Sequence, residues 1–166
     1  MIHFQYQSIR AERIVYVPKG KSLYIFCKPP DSPGVSSVLF GALADANVNV
    51  DMIVQSHART AATANMEFTV GKRDAARAVE IVRANQQKIG FEDVQVNEEV
   101  AKVSVIGVGM RSHTGVAKTM FQSLADKGVN IQVISTSEIK ISVLIDAAYT
   151  ELAVRALHAG YGLDQL

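Results

Sequence analysis

An internal repeat constrains this chain more than any other feature of its sequence. When the sequence is shifted against itself by 81 residues, ten of the 23 positions from 34 to 56 carry the same residue as their counterparts from 115 to 137. Chance would give roughly one or two matches. The identical residues of the first copy are Gly34, Val35, Phe40, Leu43, Ala44, Asp45, Val48, Asn49, Ile53 and Ser56. We therefore expect two copies of one folding unit.

The hydrophobic pattern predicts the same order of elements in both copies. In the second copy, apolar residues recur at helical spacing from 116 to 124 and at every second residue from 129 to 133 and from 141 to 145. Residues 103–146 thus predict strand, helix, strand, strand, and a second helix is expected at about 148–159. The first copy predicts strands at 23–28, 48–55 and 66–70, a second helix at 74–88 and a fourth strand at 91–96.

The second copy lacks a fourth strand after its last helix. Residues 13–17 precede the first copy, and their β-branched and aromatic side chains suit a strand. We expect this strand to complete the second sheet, so that the first domain, 22–98, is inserted in the second, 1–21 with 99–166. The predicted fold class is α+β, with two ferredoxin-like βαββαβ domains and antiparallel sheets that carry their helices on one face.

The start of the first helix in each copy predicts an anion site, because free backbone N–H groups at a helix start attract carboxylates. Gly34 and Gly115 allow close approach of a ligand to the backbone. Asp31 and Ser32 are expected to cap the first helix, and Ser112 or Thr114 the second. Capping alone is an alternative role for Asp31. Just past these helices, Asn47 and Gly128 correspond and suit a left-handed conformation.

Composition argues against several classes of partner. The net charge is +1 without a basic run, so neither nucleic acid nor a membrane surface is expected. Cys27 is the only cysteine, and no apolar stretch approaches about 18 residues, which favours a cytoplasmic protein. The four histidines lack metal-ligand spacing, and Ser112 replaces the third glycine of a dinucleotide loop. We expect no metal, no cofactor and no catalytic residue.

Two stretches resemble a known family. SVIGVGMRSHTGVA with ISTSEIKISVLID, and DSPGVSSVLFGALADANVNVDMIVQS, resemble the paired ACT domains at the C-terminal end of aspartate kinase, also called aspartokinase. The resemblance covers about residues 23–164. The sequence differs from the usual family pattern at Thr114, where proline is common, at Ser56 and His57, and at 64–67.

The resemblance implies a regulatory function. The family phosphorylates the side-chain carboxylate of aspartate with ATP, and its ACT pair binds the end products lysine or threonine, which inhibit the kinase. Nothing in residues 1–21 resembles the kinase domain. The resemblance therefore implies a separate regulatory subunit or a regulatory fragment, a homodimer formed through the ACT domains, and a kinase catalytic domain or subunit as partner.

The resemblance also assigns residues to the effector site. The first copy contributes Asp31, Pro33, Gly34, Val35, Ser36, Asp51 and Gln55, and the second copy closes the site with Asn130 and Ile131. Helix N–H groups after Gly34 suit the carboxylate of an amino acid, and Asp31 or Asp51 suits its ammonium group. The corresponding face of the second copy lacks these acids and is a second site or an interface, formed by Met110, Ser112, His113, Gly115, Val116 and Gln132.

Other functions are compatible with the same residues. The chain could be a ligand-free structural dimerisation module, an ACT regulatory module of another enzyme of amino-acid metabolism, or an enzyme that uses the glycine turn. Asp51 could also be a solvated residue on a half-buried strand. Binding of a free amino acid separates the first alternative from an allosteric role.

Overall fold

The computed structural model describes residues 14–16, 22–57, 62–91, 93–107 and 115–163. Its strands are β1 (Ile14–Tyr16), β2 (Ser22–Cys27), β3 (Val50–His57), β4 (Ala64–Gly71), β5 (Val94–Ile106), β6 (Val133–Thr136) and β7 (Lys140–Asp146). Its helices are α1 (Val35–Asp45), α2 (Ala75–Ala84), α3 (Gln86–Ile89), α4 (Val116–Ala125) and α5 (Thr150–Gly160). Short 3₁₀ turns, Lys72–Asp74 and Ala147–Tyr149, precede α2 and α5.

The chain forms two compact units. Unit one is Gly20–Glu98, and unit two combines Met1–Lys19 with Glu99–Leu166, so that the boundary falls within β5. The sequence had separated the end of the first copy from the start of the second, but the structure has one extended strand there. The consecutive residues Glu98 and Glu99 are both exposed on this strand, although successive strand side chains point to opposite faces, so neither face of β5 is buried where the two units meet in sequence.

Unit one is an antiparallel sheet in the order β3, β4, β2, β5. Its core combines residues of strands and helices: Ile25, Cys27, Leu39, Leu43, Val48, Met66, Phe68, Val70, Ala78, Val82, Ile89 and Phe91. Phe40 of α1 packs edge-on against Phe68 of β4, with ring centroids 5.3 Å apart. Alternate residues of the strands thus bury their side chains against α1 and α2, which holds the helices on one face of the sheet.

Unit two repeats this order with β1, β5, β7 and β6. The described part of the N-terminal segment, Ile14–Tyr16, pairs antiparallel with Ser104, Val105 and Ile106 of β5. The core contains Ala101, Val103, Val105, Val116, Met120, Leu124, Val129, Ile141, Val143, Ile145, Ala153, Val154 and Leu157. The predicted α+β class, with two antiparallel sheets and the first domain inserted in the second, is confirmed.

The first helix of each unit ends in the same way. Asn47 has a φ angle of 58° and Gly128 one of 68°, so both adopt the predicted left-handed conformation. The N–H groups of Val48 and Val129 donate to the carbonyls of Leu43 and Leu124, at 2.9 Å and 3.0 Å. These bonds satisfy helix carbonyls and bring each valine over the core. Within the described residues, no helix is both long and apolar enough to cross a membrane.

Candidate functional site

The start of α1 and the ends of two strands meet at one edge of the sheet in unit one. β2 and β3 are both antiparallel to β4, so they run parallel to each other and end at the same edge. The chain leaves β2 there and enters α1 at Val35. The hydroxyl of Ser36 donates to Oε1 of Gln55 at 3.2 Å, which joins α1 to the C-terminal part of β3. Two predicted site residues are thereby in direct contact.

The helix start itself has no side-chain cap. The N-cap of α1 is Gly34, with a φ angle of 91° in the left-handed region that favours glycine. The predicted caps Asp31 and Ser32 are therefore wrong: the N-cap is Gly34, one residue before the helix, and glycine has no side chain that could accept from the first N–H groups. An uncapped helix start is a place where a ligand carboxylate can accept hydrogen bonds.

Asp31 is held at both its backbone and its side chain. Its N–H donates to the carbonyl of Ala62 at 3.0 Å, beside a bridge between Pro30 and Thr63. Its carboxylate oxygen Oδ2 lies 2.6 Å from Nδ1 of His57, at the end of β3. The Asp31 side chain is 33% exposed, and that of His57 is 84% exposed. Asp31 is thus a fixed and accessible carboxylate near the uncapped helix.

Asp51 has a different environment. Its Oδ1 accepts from the N–H of Met52 at 2.8 Å, and its carbonyl accepts from the Thr69 hydroxyl at 2.9 Å. Met52 has a φ angle of 49°, and the pairing of β3 with β4 shifts register between Asp51 and Val54. The Asp51 side chain therefore stabilises a β-bulge. Of the two predicted ammonium receptors, Asp31 is the one that does not serve the local backbone with its side chain.

The remaining unit-one residues of the predicted site surround the helix start. Pro33 and Gly34 are exposed, and Val35 is half-buried against the core. Exposed backbone at Gly34 leaves room for a ligand, since nothing lies within 4 Å of the position where its Cβ would be. These residues can receive the carboxylate of a small zwitterion, and Asp31 can receive its ammonium group.

The predicted residues of the second copy all belong to unit two. Asn130 is exposed and Ile131 packs against the core of unit two just before β6. Gln132 is exposed, while its N–H donates to the carbonyl of Leu144 at 2.8 Å. Met110, Ser112 and His113 lie outside the described residues. Asn130 and Ile131 thus lie shortly before the first residue of β6, within unit two.

The start of α4 differs from that of α1. Gly115 is its N-cap, with a φ angle of 106°. The predicted caps Ser112 and Thr114 lie outside the described residues. Val116 is buried, and its carbonyl accepts from the Tyr161 hydroxyl at 2.7 Å. The same glycine geometry therefore recurs in unit two with a more deeply buried first helical residue.

Sequence reasoning did not assign a role to His57. The signal was present in the order of strands, because the ends of β2 and β3 lie at one edge and bring Asp31 and His57 together.

Burial raises the pKa of the Cys27 thiol to about 11, which disfavours a reactive thiolate. Among the described residues, no group of three or more His, Cys, Asp or Glu side chains could hold a metal ion.

Comparison with known proteins identifies similarity to ACT domains and to aspartokinases. The family model described as the ACT domain matches residues 30–86 and 103–161, one match in each unit. The aspartokinase of Pseudomonas aeruginosa is 50% identical over 135 residues, which are 81% of this chain and 32% of that protein. The chain therefore spans about a third of the length of the curated relatives that it matches.

Two solved structures match nearly their whole chains. The structure of aspartokinase alpha and beta subunits has a chain 44% identical to this one, with a TM-score of 0.80, and the match covers 89% of this chain and 97% of that one. The ligand-free regulatory subunit of aspartate kinase from Thermus thermophilus is 37% identical, with a TM-score of 0.79, and covers 91% of this chain and 97% of its own. The similarity thus extends over both units.

Proposed function

This chain belongs to the ACT domain family, as a paired regulatory region of the aspartokinase type, and we propose that it binds an end-product amino acid and thereby inhibits an aspartate kinase. The proposed effectors are lysine, threonine or both. The catalytic partner is a kinase domain or subunit that phosphorylates aspartate, and the proposed setting is the cytoplasm. Binding favours one arrangement of the module, and the kinase senses that arrangement through its contacts.

One observation carries this proposal: an uncapped helix start lies at the same sheet edge as a fixed, accessible carboxylate. An amino acid has a carboxylate that suits the N–H groups after Gly34 and an ammonium group that suits Asp31. Gln55, already bonded to Ser36, has amide groups that can test the ligand side chain. We propose that Asn130 and Ile131 also contribute to effector binding, and that Asp51 supports the site by holding the bulge.

A homodimer is part of the proposal. β3 and β6 are the outermost strands of their units, and each carries an exposed isoleucine at the same position of the repeat. Ile53 is 50% exposed and Ile134 is 46% exposed. Apolar side chains on edge strands are typical of surfaces that pair with another chain. The same observation favours the ligand-free dimerisation module as the second candidate function.

Thermal unfolding with added amino acids tests the proposal. A ligand that binds only the folded protein raises the melting temperature, so lysine or threonine at millimolar concentration should raise it, with methionine as a third compound to compare. Asp31→Asn should weaken binding about ten-fold, because an ammonium ion loses its charged partner. Asp45→Asn is the matched control, since it removes the same charge at the far end of α1.

The outcomes separate the two candidate functions. A melting temperature that no amino acid raises would argue against an effector site and leave the dimerisation module as the function. Equal loss of binding in Asp31→Asn and Asp45→Asn would show that net charge, and not the position of Asp31, controls affinity. Sedimentation of the chain with and without ligand reports the dimer independently.

A further inference from the structure

The Asp31 and His57 side chains form a pair that the repeat does not duplicate. The residues at the corresponding positions of the second copy, by the 81-residue shift, are Ser112 and Glu138, which cannot form the same pair of acid and base. In unit one the two side chains are in direct contact at 2.6 Å. The two residues come from different parts of the unit: Asp31 lies in the segment before α1, and His57 is the last residue of β3.

This contact engages a carboxylate that is close in sequence to the start of α1. The side chain of an N-cap residue normally accepts hydrogen bonds from the free N–H groups of a helix. Asp31 lies three residues before the N-cap, which is Gly34 and has no side chain that could accept these bonds. Its carboxylate is instead directed to His57, while its backbone is fixed by Ala62.

We propose that His57 is a positioning residue of the effector site: it holds the Asp31 carboxylate apart from the α1 N-terminus. The inference rests on the proposed function, because it assigns the two separated groups to the two ends of one amino acid. The helix N–H groups stay open for the ligand carboxylate, and Asp31 stays oriented for the ligand ammonium group. Fixing a receptor group in its binding position lowers the ordering cost of binding.

Calorimetry with lysine and threonine on the 166-residue chain tests this role. His57→Ala removes the donor and should weaken binding about two- to five-fold, the range expected for loss of an exposed contact between two polar side chains. His57→Asn places an amide nitrogen near the position of Nδ1 and should restore most of the affinity. Ser56→Ala, an exposed neighbour on β3, is the matched control and should bind like the unmodified chain.

A double variant tests whether His57 acts through Asp31. His57→Ala should cause no further loss in the Asp31→Asn background, since the carboxylate that it positions is then absent. The nitrogen chemical shifts of the His57 ring, measured without ligand, should show a protonated Nδ1 and should change in Asp31→Asn.

The possible results distinguish failure of the positioning role of His57 from failure of the proposed function. Equal affinity of His57→Ala and the unmodified chain would overturn the inference and leave the proposed function standing. So would a His57→Asn variant as weak as His57→Ala, a further loss in the Asp31→Asn background, or ring shifts that ignore Asp31. Absence of binding by the unmodified chain would overturn the proposed function, and the positioning role with it.

Discussion

The two units share their cores but differ where their first helices begin. Leu43 and Leu124 correspond in the repeat and are fully buried, as are Leu39 and Met120. At the helix start, unit one has a fixed acid at Asp31, whereas the second copy has Ser112 at the corresponding position. The buried positions of the helices are thus shared by the two units, while the acid of the proposed site at Asp31 has no acidic counterpart in the second copy.

The second strands of the two units sharpen this difference. In unit one, Asp51 and Met52 form a bulge with a left-handed Met52. In unit two, the counterpart of Met52 is Val133, and β6 pairs with β7 in regular register from Val133 to Thr136. A left-handed methionine is costly and persists only where its surroundings fix it. The irregular strand thus lies in the same unit as Asp31 and Asp51.

The shared core predicts the largest effects. Leu43→Ala and Leu124→Ala should each lower the free energy of unfolding by about 2–5 kcal/mol, because each leaves a cavity among fully buried side chains. Urea denaturation of the two variants measures both values. Similar losses would support equal packing of the two units, and a loss in only one of them would break the comparison.

The neighbouring alanines are matched controls for these variants. Ala44 and Ala125 also correspond in the repeat, and both are exposed on the same helices as the leucines. Ala44→Ser and Ala125→Ser should change the free energy of unfolding by less than about 0.5 kcal/mol. A large effect of either serine would mean that the helix, and not the buried side chain, determines the loss.

The contact between α4 and α5 predicts an intermediate effect that is specific to unit two. A Cβ added at Gly160 would collide with the Ser123 hydroxyl and lie 3.3 Å from its Cβ. Gly160→Ala should therefore lower the free energy of unfolding by about 1–2 kcal/mol, although alanine is the better helix former. In unit one, α2 follows the corresponding 3₁₀ turn and ends at Asn85, a larger residue than Gly160.

Gly41 provides the control for this prediction. It lies within α1, and nothing is within 4 Å of the position of an added Cβ. Gly41→Ala should leave stability unchanged or raise it by up to about 1 kcal/mol. Adding Ser123→Ala to Gly160→Ala should recover part of the loss, because it removes the hydroxyl. A Gly160→Ala variant as stable as the unmodified chain would show that the helices separate without cost.

The fold was predictable because the repeat conserves buried and conformationally special positions. Leu43, Val48 and Asn47 belong to the core or to the left-handed helix end, and their counterparts have the same roles. The resemblance to the ACT pair of aspartokinase is confirmed by the family match in both units. The continuous β5 could not be predicted from its polar middle, since exposed strand residues and loop residues have the same composition.

The site was predictable only in part, for a different physical reason. The sequence indicated Gly34, Ser36 and Gln55 through the resemblance, and the structure joins the last two. It did not indicate that Asp31 contacts His57, because that contact depends on which strand ends share an edge. The capping prediction failed because a left-handed glycine can make the turn into a helix without a side-chain partner.

The ends of α1 and α4 predict the smallest effects and the closest equivalence. Asn47 and Gly128 occupy the same left-handed position, and the N–H groups of both donate to a helix carbonyl at 2.9 Å. Exchanging them, as Asn47→Gly and Gly128→Asn, should change the free energy of unfolding by less than about 0.5 kcal/mol.

Asn47→Ala and Gly128→Ala should each lower the free energy of unfolding by about 1 kcal/mol, because alanine gains no local hydrogen bond for the left-handed backbone. Space does not interfere at Gly128, where nothing lies within 4 Å of an added Cβ. Urea denaturation of the four variants checks the set, and an Asn47→Ala variant as stable as Asn47→Gly would show that backbone conformation does not explain why the repeat keeps these two residues.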